Sequence, residues 1–112
     1  MHTCGQLQPV LSETLDGLRR IFGENLKQTL LYGSYARGDQ DSESDVDVMA
    51  LVEMPKEQLA EYRRAVSHLS TELDLKYDVF LSIVLQDTDT FHQYADALPF
   101  FQNIMREGIR VG

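Results

Sequence analysis

Residues Asp45 to Val52 read Asp-Val-Asp-Val-Met-Ala-Leu-Val. The first four alternate acid with valine and the rest are apolar, the pattern of a strand with one polar end. The rest of the chain supplies elements to pair with it and cover it. Thr29 to Tyr32 is a short apolar run closed by Gly33-Ser34, and reads as a buried strand. Lys76 to Leu85 reads as a third strand, and Ile109-Arg110-Val111 as a short edge strand. Pro9 to Phe22 carries Val10, Leu11, Leu15, Leu18 and Phe22 at helical spacing, with Pro9 suited to the first turn and Gly23 to the stop. Gly17 counts against that helix. From Pro55 a longer helix places Leu59, Tyr62, Val66, Leu69 and Leu73 three and four residues apart. A last helical region runs from about Asp87 or Asp89 to Glu107, and Pro99 breaks or kinks it. The order helix, strand, strand, helix, strand, helix predicts an α/β (α+β) chain, a sheet with helices packed on it.

At 112 residues the chain predicts one domain, 1–112, with a core of useful size. No stretch approaches the roughly 18–20 apolar residues that span a membrane, and the first residues lack the basic and apolar segments of a signal peptide. The single cysteine, Cys4, rules out an internal disulfide and fits a cytoplasmic setting. The formal net charge of −8 disfavours direct nucleic-acid binding, which calls for a basic surface, and suits a basic protein partner.

The segment that carries chemistry is Gly33-Ser34-Tyr35-Ala36-Arg37-Gly38-Asp39, followed after four residues by Ser44-Asp45-Val46-Asp47-Val48. Gly33 lets the backbone approach a bulky anion, Ser34 adds a hydroxyl, and a turn entering a helix aims free N–H groups at the same place. Together these predict a triphosphate cradle. Asp45 and Asp47 are one residue apart, so on a strand their carboxylates share a face. Two such groups resist joint ionisation unless a cation lies between them. Magnesium, which favours oxygen ligands and completes its shell with substrate phosphates, is the natural ion. Asp78, on the third predicted strand, is a candidate third carboxylate, and three carboxylates suit two metal ions. Each piece alone is ordinary. A Gly-Ser pair is usually a turn, Asp-x-Asp occurs on solvated faces, and Arg37 by itself is an ion-pair residue. Their order and spacing are what is specific. Asp39, Asp41, Glu43, Asp45 and Asp47 put five acids in nine positions, a density that is costly without a cation.

The stretch from Gly33 to Val48 resembles the signature of the DNA polymerase beta-like nucleotidyltransferase superfamily: Gly-Ser, then Arg-Gly-Asp, then Ser-Asp-x-Asp and an apolar residue. The Ala-Arg-Gly-Asp wording and the small size resemble the minimal nucleotidyltransferases, often paired as antitoxins with HEPN-domain proteins. The resemblance implies a short mixed β-sheet flanked by helices. It also implies that Gly33, Ser34, Arg37 and Ser44 surround the triphosphate, and that Asp45 and Asp47 bind two Mg2+ ions, with Mn2+ an alternative. Asp78 would bind one ion and help deprotonate the acceptor.

Three functions follow as expectations. The first is transfer of a nucleotide, AMP from ATP, to a hydroxyl of a protein partner, since no acceptor-binding domain follows the catalytic core. The second is an antitoxin acting by occlusion. The third is transfer to a small molecule such as an aminoglycoside, for which the sequence assigns no acceptor pocket.

Overall fold

The computed structural model describes residues 4–33, 38 and 45–111. Helix α1 (Cys4–Phe22) leads through a short 3-10 turn, Gly23–Asn25, into strand β1 (Leu26–Tyr32). Strand β2 (Val46–Val52) is followed by one helical turn, α2 (Lys56–Leu59), a 3-10 turn, Ala60–Tyr62, and the long helix α3 (Arg63–Tyr77). Strand β3 (Leu81–Asp87) runs directly into α4 (Thr88–Tyr94), and α5 (Pro99–Glu107) precedes the two-residue strand β4 (Ile109–Arg110).

The four strands form one mixed sheet in the order β3-β2-β1-β4. β1 is antiparallel to both β2 and β4, and β2 is parallel to β3. β2 is therefore interior, with strands on both edges and helices on both faces, and five of its residues from Val48 to Val52 are buried. Its odd and even positions serve different cores, as strand alternation requires. Val46, Val48, Ala50 and Val52 pack with Val10, Leu18 and Phe22 of α1 and with Val66, Leu69 and Leu73 of α3. Met49 and Leu51 face the other way, toward Phe91 of α4 and Phe101 and Ile104 of α5.

Several element boundaries differ from the sequence expectation. α1 begins before Pro9, which lies inside the helix rather than in its first turn. Gly17 is tolerated because α1 and α3 touch there; a Cβ on Gly17 would lie 2.5 Å from Leu69 Cδ1. The third strand starts at Leu81 rather than Lys76. α3 continues through Tyr77, tied to α1 by Lys76 Nζ donating to Glu13 Oε1 at 2.9 Å and by the Tyr77 hydroxyl donating to the other oxygen of Glu13. Asp78 then ends the helix in the left-handed region at φ 54°, with its backbone N–H on the Asp74 carbonyl. The Asp74 carboxylate accepts from Leu81 N at 2.7 Å and so sets where β3 begins. The break at Pro99 is as expected: Pro99 opens α5 at its first turn. The helical turn expected at Tyr35 to Asp39 and the loop from Gln40 to Ser44 lie outside the described residues, apart from Gly38.

Candidate active site

The polar end of β2 is where chemistry-bearing groups gather. Asp45 is exposed and stands one residue ahead of the strand, where Val46 N donates to Phe80 O at 2.8 Å to begin the ladder with β3. Asp47 is half-buried within β2. Its neighbour across β1 is Tyr32, and its neighbour in register on β3 is Ser82. Tyr32, Asp47 and Ser82 thus form a row at one end of the sheet, on the face that α5 partly covers.

Gly33 follows Tyr32 at the end of β1 with φ +77°, a conformation that side chains rarely adopt. A Cβ there would also collide with Asp47 Oδ2. The two halves of the sequence motif meet at this contact. Among the described residues this is the direct link between the glycine turn and the carboxylate pair.

Tyr32, read from the sequence as the end of a buried strand, is half-buried beside Asp47. Burial pushes its hydroxyl up from 10.0 to about 12, and the charge of Asp47 adds to the shift. The phenol therefore stays protonated beside a carboxylate through the physiological range. Its ring meets Phe100 edge-on at 5.8 Å between centroids. Tyr32, Gly33, Phe100, Asn103, Ile104 and Glu107 line a cavity of about 190 Å3 against this end of the sheet. Ser82 also escaped the sequence reading. Its signal was present, a lone hydroxyl within the apolar run Val79 to Leu85, but only strand register connects it to Asp47.

The predicted residues fall into three groups. Gly33 and Asp47 meet, and Asp45 stands two residues ahead of Asp47. Ser34, Arg37 and Ser44 lie outside the described residues. Asp78 is exposed in the turn that ends α3, not on a strand. Among the described residues, no three acidic, histidine or cysteine side chains lie close enough to hold a metal ion. The donor chemistry of Asp45 and Asp47 still fits a hard divalent cation, with further oxygens coming from substrate phosphates.

Residues 11–98 match the family model described as Nucleotidyltransferase domain. Two proteins of Methanocaldococcus jannaschii, named Putative protein adenylyltransferase MJ0141 and MJ0604, are similar. The first is 39% identical over 77 residues, covering 68% of this chain and 75% of the relative. The second is 27% identical over 101 residues, covering 90% and 93%. Among solved structures, a toxin–antitoxin with AMP-PNP superposes with a TM-score of 0.59 at 21% identity, over 89% of this chain and 70% of that one. A protein of Sulfolobus solfataricus, named a putative nucleotidyltransferase, superposes with a TM-score of 0.56 at 18% identity, over 94% and 80%. At those identities the superpositions establish the fold alone. The family match spans most of the chain and contains the whole Gly33 to Asp47 constellation, so the chain belongs to the nucleotidyltransferase domain family and is an enzyme of the minimal nucleotidyltransferase type.

Proposed function

We propose that this chain transfers AMP from ATP to a hydroxyl of a partner protein in the cytoplasm, and that the partner is a HEPN-domain toxin which the modification silences. The observation that carries the reading is the meeting of Gly33 with Asp47 at the polar end of β2. It joins a backbone turn suited to phosphate with a carboxylate suited to a cation. The two relatives named as protein adenylyltransferases support a protein acceptor, and the toxin–antitoxin fold neighbour supports a toxin partner.

Asp45 and Asp47 would hold the divalent magnesium, or manganese in its place, that neutralises triphosphate charge and polarises the phosphorus under attack. Gly33 lets the phosphates approach the backbone, and its missing Cβ leaves room for the Asp47 carboxylate. By their motif positions, Ser34, Arg37 and Ser44 contact the phosphates. Tyr32, held protonated, is a neutral donor that lies beside Asp47 without adding negative charge. The cavity against Phe100 is open to one side of this row and can take part of the nucleotide or of the acceptor. Two readings of Asp78 compete, third ligand and helix terminator, and the left-handed cap at φ 54° favours the second.

The test is to incubate the protein with labelled ATP, magnesium and a HEPN-domain protein encoded beside it. Label on the partner, lost with Asp45→Asn, is the expected result. Loss of toxicity without any change in partner mass would replace the proposal with occlusion. Label on a small acceptor alone would replace it with small-molecule transfer.

A further inference from the structure

At the other end of β1 the charge pattern reverses. The chain has a formal net charge of −8 and ten lysines and arginines in all. Three of those ten, Arg19, Lys27 and Arg110, line one small pocket where α1, β1 and β4 meet, together with Gln28 and Thr29. Like charges gathered on an acidic protein repel one another unless an anion lies between them. Among the described residues, neither Arg19 nor Arg110 has an ion-pair partner. Lys27 has only Glu53, at 3.9 Å, and both of those side chains are well exposed. The C-terminal end of α1 accounts for an arginine at position 19 through the helix dipole. It does not account for Lys27 or Arg110, which come from two different strands.

Two further observations mark the pocket as built. The β1–β2 register slips between Leu26 and Gln28, so Lys27 sits in a bulge, a feature that re-aims a strand side chain. Thr29, which forms part of the wall, is 2% exposed, and its hydroxyl has no hydrogen-bond partner among the described residues. An unpaired buried hydroxyl is unusual in a protein interior. The pocket volume is about 130 Å3. That is room for about four waters at roughly 30 Å3 each, enough for a phosphate group but too little to enclose a nucleoside.

We propose that this pocket binds a phosphate group, as a second anion site separate from the nucleotide site. Tyr32 lies five positions along β1 from Lys27, about 16 Å at the rise of an extended strand, so one phosphate chain does not bridge the two. Arg19 of α1, Lys27 of β1 and Arg110 of β4 would supply the positive charge that holds the anion.

The experiment is an amide-resolved NMR titration in EDTA, without nucleoside triphosphate, using inorganic phosphate, pyrophosphate and AMP in separate arms. Saturable shifts confined to Lys27, Gln28, Thr29, Arg110 and Val111 are expected with phosphate in the millimolar range. Arg19→Ala with Arg110→Ala should weaken binding at least tenfold, whereas Arg63→Ala with Arg64→Ala, on α3 and outside the pocket lining, should leave it unchanged. An AMP response equal to that of phosphate identifies a phosphate ester as the source, and a response to the inorganic anions alone identifies a free anion. Arg110→Gln, a milder exposed change, stands in if the double variant fails to fold. The proposal is overturned if the five residues show no saturable shift, or if the α3 variant loses as much affinity as the pocket variant.

Discussion

Gly33 answers two demands at once, a backbone angle of +77° and the close approach of the Asp47 carboxylate. Gly33→Ala is therefore expected to cost more than the ordinary left-handed penalty of about 1–2 kcal/mol, and to abolish triphosphate binding; thermal unfolding and calorimetry measure the two effects. Tyr32 yields a prediction with a sign. Its folded pKa of about 12 lies above the usual 10.0, so the folded state keeps a proton that the unfolded state gives up. Its contribution to stability is complete below pH 10 and is lost as pH rises from 10 to 12. The difference between wild type and Tyr32→Phe in ultraviolet phenolate titration should show a midpoint near 12, and Asp47→Asn should lower it. Unchanged titration in Asp47→Asn would remove the charge of Asp47 as a cause and leave burial alone. Asp78 yields a prediction that separates its two readings. As a left-handed helix terminator it is replaceable by glycine, the residue that suits that conformation. Asp78→Gly should hold or raise the melting temperature, by up to about 1 kcal/mol of stability, and should retain transferase activity. A stable Asp78→Gly protein with activity reduced a hundredfold would instead make Asp78 a ligand.

At the scale of elements, the packing of α1 on α3 turns on a glycine that helix propensity argues against. Gly17→Ala would gain about 1 kcal/mol of intrinsic helix propensity, yet the new methyl would fall 2.5 Å from Leu69 Cδ1 in a filled interface. Overpacking a core costs about 1–3 kcal/mol, so net destabilisation is expected. Leu69→Ala should rescue part of it in the double variant, and additivity of the two changes in denaturant unfolding would show that the contact is not what matters. The helices and their apolar faces were legible in the sequence because 3.6-residue periodicity survives in Val10 to Phe22 and Leu59 to Leu73. The start of β3 was not. Lys76 to Val79 contains residues that suit a strand, but Glu13 on α1 and the Asp74 carboxylate extend the preceding helix through Tyr77. Those are contacts across 63 and 64 positions and across a helix end, which no local pattern reports.

For the molecule as a whole, the acidic balance and the paired carboxylates make one prediction together. ATP binding should be weak in EDTA and strengthen on adding magnesium, because metal offsets the repulsion between a −8 chain and a triphosphate. Equal affinity in the two conditions by calorimetry would remove the metal from the proposal.

The sequence alone determined the mixed α/β composition and the strand with one polar end that is β2, and it named Gly33, Asp45 and Asp47 as candidates. Each of these rests on local periodicity or on short-range order along the chain. Tertiary structure decided which groups join that set. Tyr32 and Ser82 flank Asp47 because antiparallel pairing on one side and parallel pairing on the other align positions 15 and 35 residues away. Asp78 is set apart because the helix before it runs one turn further than its local sequence indicates. Arg19, Lys27 and Arg110 become a cluster only when β4 returns along the outer edge of β1. The physical reason is common to all three: strand register and helix ends are set by long-range burial and hydrogen bonding, whose partners are distant in the chain.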